Sequence, residues 1–168
     1  RMDVKDKEYF VTSLLITKAH IDSRGGVLAS ADSSIYNYGR DYYSYVWPRD
    51  AVYALLPLVK LGYTQEATEF LRFCLRGLHP RGYLHHKYQP DGAIGSTWHP
   101  MIQEGSPELN IQEDETAAVI VLFNELYKIS PEEPELKDFY MELILPATEF
   151  IASYIDRHTM LPHASYDL

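Results

Sequence analysis

One cysteine, Cys74, stands among 168 residues, so no intrachain disulfide can brace the fold. The lone thiol favours a reducing, cytoplasmic setting. Secretion after loss of a leader is the alternative, because Arg1 is not an initiator residue. Its neighbours Phe70, Leu71, Phe73 and Leu75 predict a packed sulfur. Positive charge is scarce too: 15 Lys and Arg face 24 Asp and Glu, the net charge is -9, and no basic cluster occurs. A chain of that sign has no footprint for neutralising phosphates, which argues against nucleic acid as a partner. Although 46% of residues are hydrophobic, no apolar run approaches the ~20 residues of a bilayer span, so no membrane partner is expected. Strand-like runs of any strength are missing as well. No histidine pair falls at a helical metal-ligand spacing, and the adjacent His85 and His86 would point opposite ways in an extended segment. Neither a metal nor another cofactor is read from the chain.

What is present is helical periodicity, and the expected class is all-α. Phe10, Val11, Leu14, Leu15 and Ala19 predict one apolar stripe on a helix over about 4–21, which Gly25-Gly26 then breaks. A second helix is expected over about 49–61, with Val52, Leu55, Leu56 and Val59 inward, Pro57 kinking or shortening it, and Gly62 as its stop. A third follows the candidate N-cap Thr64, carries Ala67, Phe70, Leu71, Cys74 and Leu75 inward, and ends at Gly77. The fourth, over about 113–129, opens on Glu113-Asp114-Glu115 and turns Ala117, Ile120, Val121 and Leu122 inward. A fifth, over about 135–157, is interrupted at Pro146. Val27-Leu28-Ala29 and Tyr83-Leu84-His85 are candidate short hairpin arms.

Links between these helices alternate short and long. The long ones exceed the ~12 to 15 residues at which structureless loops become uncommon. If successive helices are antiparallel, every long loop projects from one end, which makes that end the candidate site. The first long loop is dominated by tyrosine and closes on Trp47-Pro48-Arg49-Asp50. Rings with an apolar face and a polar edge, beside a fork of donors and a carboxylate, suit a ligand with C–H faces and an equator of hydroxyls, namely a sugar. The plainer alternative is packed tyrosines beside a surface ion pair. Three carboxylates in one helical turn at Glu113, Asp114 and Glu115 either raise one pKa by mutual repulsion, which makes one a candidate general acid for a glycosidic oxygen, or simply complement the helix dipole.

Four ordered blocks then resemble a known family: Gly26-Val27-Leu28-Ala29-Ser30, Tyr43 through Trp47-Pro48-Arg49-Asp50, Gln112-Glu113-Asp114-Glu115-Thr116-Ala117, and Pro162-His163-Ala164-Ser165-Tyr166-Asp167-Leu168. Together they are similar to glycoside hydrolase family 15, the glucoamylase family. The resemblance implies an (α/α)6 barrel, of which five or so helices make a partial one, about half of the toroid. It implies an inverting, exo-acting hydrolase that releases glucose from the non-reducing ends of α-glucans, an oligosaccharide or glucan as partner, and no cofactor. By the same resemblance Arg49 and Asp50 hold hydroxyls of the terminal glucose, Tyr43 and Trp47 line its ring, and Trp98 helps to close the subsites. Gln112 and Asp114 sit at a helix start under the pocket, and Tyr166, Asp167 and the carbonyl of Leu168 border the general acid.

In the family that block continues Tyr-Asp-Leu-Trp-Glu-Glu, so the general acid is expected just beyond Leu168 and the base much further on. Inversion needs both carboxyls, roughly 6.5 to 9.5 Å apart, and the chain alone is expected to be an inactive fragment. The remainder of the barrel, or self-association, is expected to cover the apolar faces of a half-toroid. Members that cut α-1,4, α-1,6 or trehalose linkages share these blocks. Two other readings fit parts of the pattern: a non-catalytic sugar-binding module, and a helical-repeat domain whose loops bind protein.

Overall fold

In a computed structural model, which describes residues 3–31, 43–96, 102–103, 106–107, 109 and 111–163, the fold is all-α. The helices are α1 (Val4–Ala19), α2 (Pro48–Lys60), α3 (Gln65–Gly77), α4 (Glu113–Ile129), α5 (Leu136–Phe139) and α6 (Leu145–Ser153). The strands among the described residues are β1 (Ile102–Gln103) and β2 (Ser106–Pro107), an antiparallel pair of two residues each. No described helix is long and apolar enough to cross a membrane.

The most extensive helix contact is between α2 and α4, and α4 also meets α3 and α6. Val52, Leu55 and Val59 of α2 are buried as their spacing predicts, joined by Leu58, while Leu56 is only partly covered. Pro57 lies inside α2 without ending it. Gly62 takes φ +87° just past the helix, the left-handed stop its position predicts. On α3 the inward set is Ala67, Phe70, Leu71 and Cys74, with Phe70 stacked on Phe73 at 6.1 Å. Cys74 is a packed thiol, and burial holds it well above the ordinary cysteine pKa. Thr64 stands at the N-cap position, but its side chain makes no capping bond. Its carbonyl instead receives the hydroxyl of Thr68.

Three expectations need correction. The stripe on α1 is not buried: Phe10, Val11, Leu15 and Ala19 are exposed, and Leu14 alone of that set packs on the core. Tyr9 and Ile16 are exposed as well, so the apolar residues run around the cylinder and define no single seam. Near its end α1 is tied to the body by Lys18, which pairs with Glu66 at 2.5 Å and lies over the Tyr63 ring. The buried face of α4 is rotated from the expected one: Glu115, Thr116, Val119, Leu122 and Leu126 face inward, and Val121 faces out. The fifth helix is two, α5 and α6, joined by a π-helical turn at Tyr140–Ile144. Pro146 has no N–H for the carbonyl of Glu142 and its ring would collide with that carbonyl, and the widened turn relieves both conflicts. The helix then stops at Ser153, short of Arg157, because the Asp156 carboxylate accepts the His158 N–H at 2.7 Å and starts a turn.

The long loops meet at the end where α2 and α4 begin. Val46 and Tyr88 exchange both backbone hydrogen bonds, at 2.8 and 2.9 Å, which joins the loop after α1 to the loop after α3. Val27 pairs with Ile21, as the first candidate hairpin arm requires. The second arm lies elsewhere: Tyr88 pairs with Ile94 across the Pro90-Asp91-Gly92 turn, so Tyr83-Leu84-His85 is not a strand. A smaller core of Tyr83, Ile111 and Phe150 lies beneath these loops. Gly82 locks the second loop onto α6. It adopts φ +88°, and a Cβ there would lie 2.3 Å from the Pro146 carbonyl oxygen. Gly82→Ala is therefore expected to cost about 3 kcal/mol, from left-handed strain and a backbone collision together. Urea denaturation reads this directly, and a change under about 0.5 kcal/mol would sink it.

Candidate functional site

The first turn of α2 is built to present side chains. Trp47 is extended, at φ -95° and ψ 118°, and Pro48 takes the first helical position, where its missing N–H is no loss. Arg49 and Asp50 follow in the first turn, with the acid at the positive end of the dipole. The first turn of α4 lies against it. Gln112 precedes α4, and its side chain accepts from Arg49 Nη1 at 2.9 Å. The same Nη1 donates to Asp114, at 3.0 Å to Oδ2 and 3.2 Å to Oδ1. Arg49 Nη2 reaches Asp50 Oδ2 at 3.4 Å. One guanidinium thus fastens the starts of two helices and holds Asp50, whose side chain stays 53% exposed.

Beneath the guanidinium lies Glu115, fully buried at 0% exposure. Its Oε2 accepts the backbone N–H of Arg49 at 2.6 Å. Its Oε1 lies 3.4 Å from Arg49 Nη2, within ion-pair range but without hydrogen-bond geometry. Burial pushes the Glu115 pKa up to about 8, against the Arg49 amide and guanidinium, which pull it down; Asp114 and Asp50 push it further up. For Arg49, burial lowers the pKa, but the carboxylates of Glu115, Asp114 and Asp50 outweigh it and the net shift is upward. The repulsion expected within the carboxylate trio is therefore secondary to desolvation, and the carboxyl it concerns is Glu115.

An aromatic wall stands beside this hub. Trp47 is 5% exposed, and Tyr43, 53% exposed, stacks on it with ring centroids 5.5 Å apart. The Trp47 indole N–H donates to His86 Nε2 at 3.2 Å. The Lys87 ammonium lies 4.3 Å from the Tyr45 ring centre and 5.1 Å from that of Trp47, in a residue only 1% exposed. A cation over two ring faces fixes both rings without occupying their outer side. His85 turns the other way, into ring contacts with His79, Tyr83 and Tyr88. Among the described residues no three His, Cys, Asp or Glu side chains converge as metal ligands.

Arg49, Asp50, Gln112 and Asp114 thus come together as one cluster, and Tyr43 and Trp47 as one stack, with Trp47 two residues before Arg49. Trp98, Tyr166, Asp167 and Leu168 lie outside the described residues. Residues 4–159 match the family described as glycosyl hydrolases family 15. The chain belongs to that family. Comparison with curated proteins and with solved structures returned no match. As a family 15 glycosyl hydrolase, the chain has a carbohydrate as its class of substrate, and its all-helical fold agrees with the (α/α)6 expectation.

Sequence reasoning named Glu115 as one of three carboxylates at the start of α4 without foreseeing its burial, and it did not single out Lys87. The signal for Glu115 was there: it stands four, seven and eleven residues before Val119, Leu122 and Leu126, all on the buried face of α4. Lys87 had no such signal, because its burial depends on rings supplied by a different loop. One cavity lies against the end of α4, and another lies between α1, the loop after it and α2. The larger, 520 Å³, is lined by Phe123, Tyr127, Pro131, Pro134, Leu136 and Tyr140, with Glu133 and Lys137 as its charged groups, at the far end of α4. The smaller, 330 Å³, is lined by Asp50 with Thr17, His20 and Leu28. The smaller one is the cavity that Asp50 borders, with Thr17 and His20 as its other polar groups among mostly apolar residues.

Proposed function

We propose that this family 15 chain is the sugar-holding, N-terminal half of the catalytic domain of an inverting, exo-acting α-glucosidase that releases glucose from non-reducing ends. What carries the reading is the Arg49 hub. Gln112, Asp114, Asp50 and Glu115 converge on one guanidinium, and Asp50 also borders a 330 Å³ cavity. A fixed donor fork next to a fixed acceptor can grip the vicinal hydroxyls of a terminal glucose with direction. The Tyr43–Trp47 stack supplies an apolar face for its ring. The reading also assigns Trp98 to the sugar subsites, and Tyr166, Asp167 and Leu168 to the surroundings of the acid. In this proposal the general acid follows Leu168 in a Trp-Glu-Glu block, and the base comes from later sequence.

Hydrolysis then runs by a single displacement. The acid protonates the glycosidic oxygen, the base takes a proton from water, and that water attacks the anomeric carbon from the opposite face. Arg49 and Asp50 hold the sugar while its charge develops. Protein that extends through the expected block and base is expected to release β-glucose from maltose. Release of the α-anomer first, or none at all, would overturn the reading. Asp50→Ala is expected to lower the association constant for maltose at least about tenfold, one charged hydrogen-bond acceptor being worth roughly 1.5 to 3 kcal/mol. Isothermal titration of both proteins checks it, and equal affinities would remove Asp50 from the sugar site.

A further inference from the structure

The geometry points to Glu115 as a positioning residue that sets where the Arg49 fork points and makes sugar affinity respond to pH. This rests on the sugar-site reading above. Glu115 holds Arg49 twice, by its backbone N–H through Oε2 at 2.6 Å and by its guanidinium, with Oε1 3.4 Å from Nη2. Those two contacts use opposite oxygens, so the two protonation states differ in a definite way. The oxygen with no hydrogen bond is Oε1, and a proton on the carboxyl goes there, because Oε2 is committed to the amide. An O–H at Oε1 faces the N–H groups of Nη2, donor against donor. Nη2 is then left to Asp50 Oδ2. Loss of the proton turns Oε1 into a buried anion that competes with Asp50 for the same nitrogen and draws the fork inward, away from the sugar.

The surroundings make this titration accessible. The groups facing Glu115 are Arg49 and Asp50 on α2, its neighbour Asp114, Cys74 on α3 and Tyr88 in the following loop. Cys74 and Tyr88 are both held neutral by burial, with their pKa values raised. Asp114 and Asp50 repel a new anion, and Arg49 attracts it. The carboxyl accordingly stays neutral up to about pH 8, and the change of state falls in a range where maltose binding is measurable.

Glutamine is a permanent copy of the protonated acid: its carbonyl can accept the Arg49 N–H and its NH₂ faces Nη2 as a donor. The readout is the ratio of maltose association constants at about pH 6.5 and pH 9. It is expected to be about fivefold in the native chain and near one in Glu115→Gln, and an unchanged ratio in the variant would overturn the inference. Glu115→Ala, which lacks any acceptor for the Arg49 N–H, is expected to bind more weakly at both pH values, and equal binding would count against positioning. Where the glutamine variant fails to fold, the Arg49 amide shift of the native chain, followed by NMR with pH, decides alone. That signal needs no sugar. An inflection near pH 8 supports the Glu115 contact even if no glucoside binds, in which case only the sugar reading fails. No inflection between pH 7 and 9 overturns the inference.

Discussion

Between about pH 6.5 and pH 8.5 the chain is expected to lose roughly 2 kcal/mol of stability, and Glu115→Gln is expected to remove most of that loss. A carboxyl whose pKa is raised on folding favours the native state in its protonated form. Its contribution is complete below its ordinary value of 4.5 and is lost as the pH rises through about 8. Over that whole interval the change is about 4 kcal/mol, and the part above pH 6.5 is about half of it. The chosen window separates Glu115 from the other perturbed groups. Hydrogen bonds from Arg24, Arg72 and the His158 amide lower the pKa values of Asp22, Glu135 and Asp156 in turn. Their contributions are present above the ordinary carboxylate range and disappear only in acid. Burial lowers the pKa of His85, aided by His79, so its contribution falls away only on acidification below 6.5. Burial raises Cys74 and Tyr88, whose unfolded forms begin to ionise near 9 and 10. Urea denaturation at several pH values in both proteins is the measurement, and an equal decline in the two would assign the loss to some other group.

How much of this was legible beforehand depended on whether local sequence or a distant partner decides a residue's surroundings. Helices α2 and α3 could be read because Val52, Leu55 and Val59, and Ala67, Phe70, Leu71 and Cys74, recur at helical spacing and all meet the same core. That the long loops gather at one end followed from their lengths, and the Val46–Tyr88 pairing joins them there. Helix α1 misled, because its apolar residues are plentiful yet spread around the cylinder, so a stripe could be drawn that nothing described covers. On α4 the inward face was misjudged because Glu115 was counted as a surface charge; treating it as a core position restores the series through Val119, Leu122 and Leu126. The Arg49–Asp50 pair was read from its chemistry as a donor fork beside an acceptor, and Gln112 and Asp114 were joined to it through family resemblance; periodicity identified none of them. Their convergence on one guanidinium depends on α2 packing against α4, a contact between residues more than sixty apart.

Arg49→Leu is expected to lower maltose affinity about a hundredfold while costing only about 1 kcal/mol of stability at neutral pH. The expected functional loss is large because in the proposed site the guanidinium is both a donor to sugar and the group that holds Asp50. Two charge-assisted interactions of roughly 1.5 kcal/mol each give that factor. Breaking a buried ion pair ordinarily costs about 3 to 5 kcal/mol, because the surviving charge stays in the interior without a partner. Glu115 avoids that cost at neutrality: its pKa is already about 8 with the guanidinium in place, and removal of the cation drives it higher, so the carboxyl keeps its proton. The backbone N–H of residue 49 remains available to Oε2. Asp114, 56% exposed, is solvated in its own right. The penalty should therefore grow with pH, small at 7 and several kcal/mol at 9.5, where the unpartnered acid is forced to ionise or to open the α2–α4 contact. Arg49→Lys is not expected to restore affinity, since a single ammonium cannot serve Gln112, Asp114 and Asp50 with the geometry of the fork. Titration calorimetry with maltose, and urea denaturation at pH 7 and 9.5, test both halves. Affinity kept within threefold would remove Arg49 from the sugar site, and an equal stability loss at the two pH values would show that Glu115 is charged beneath it at neutrality.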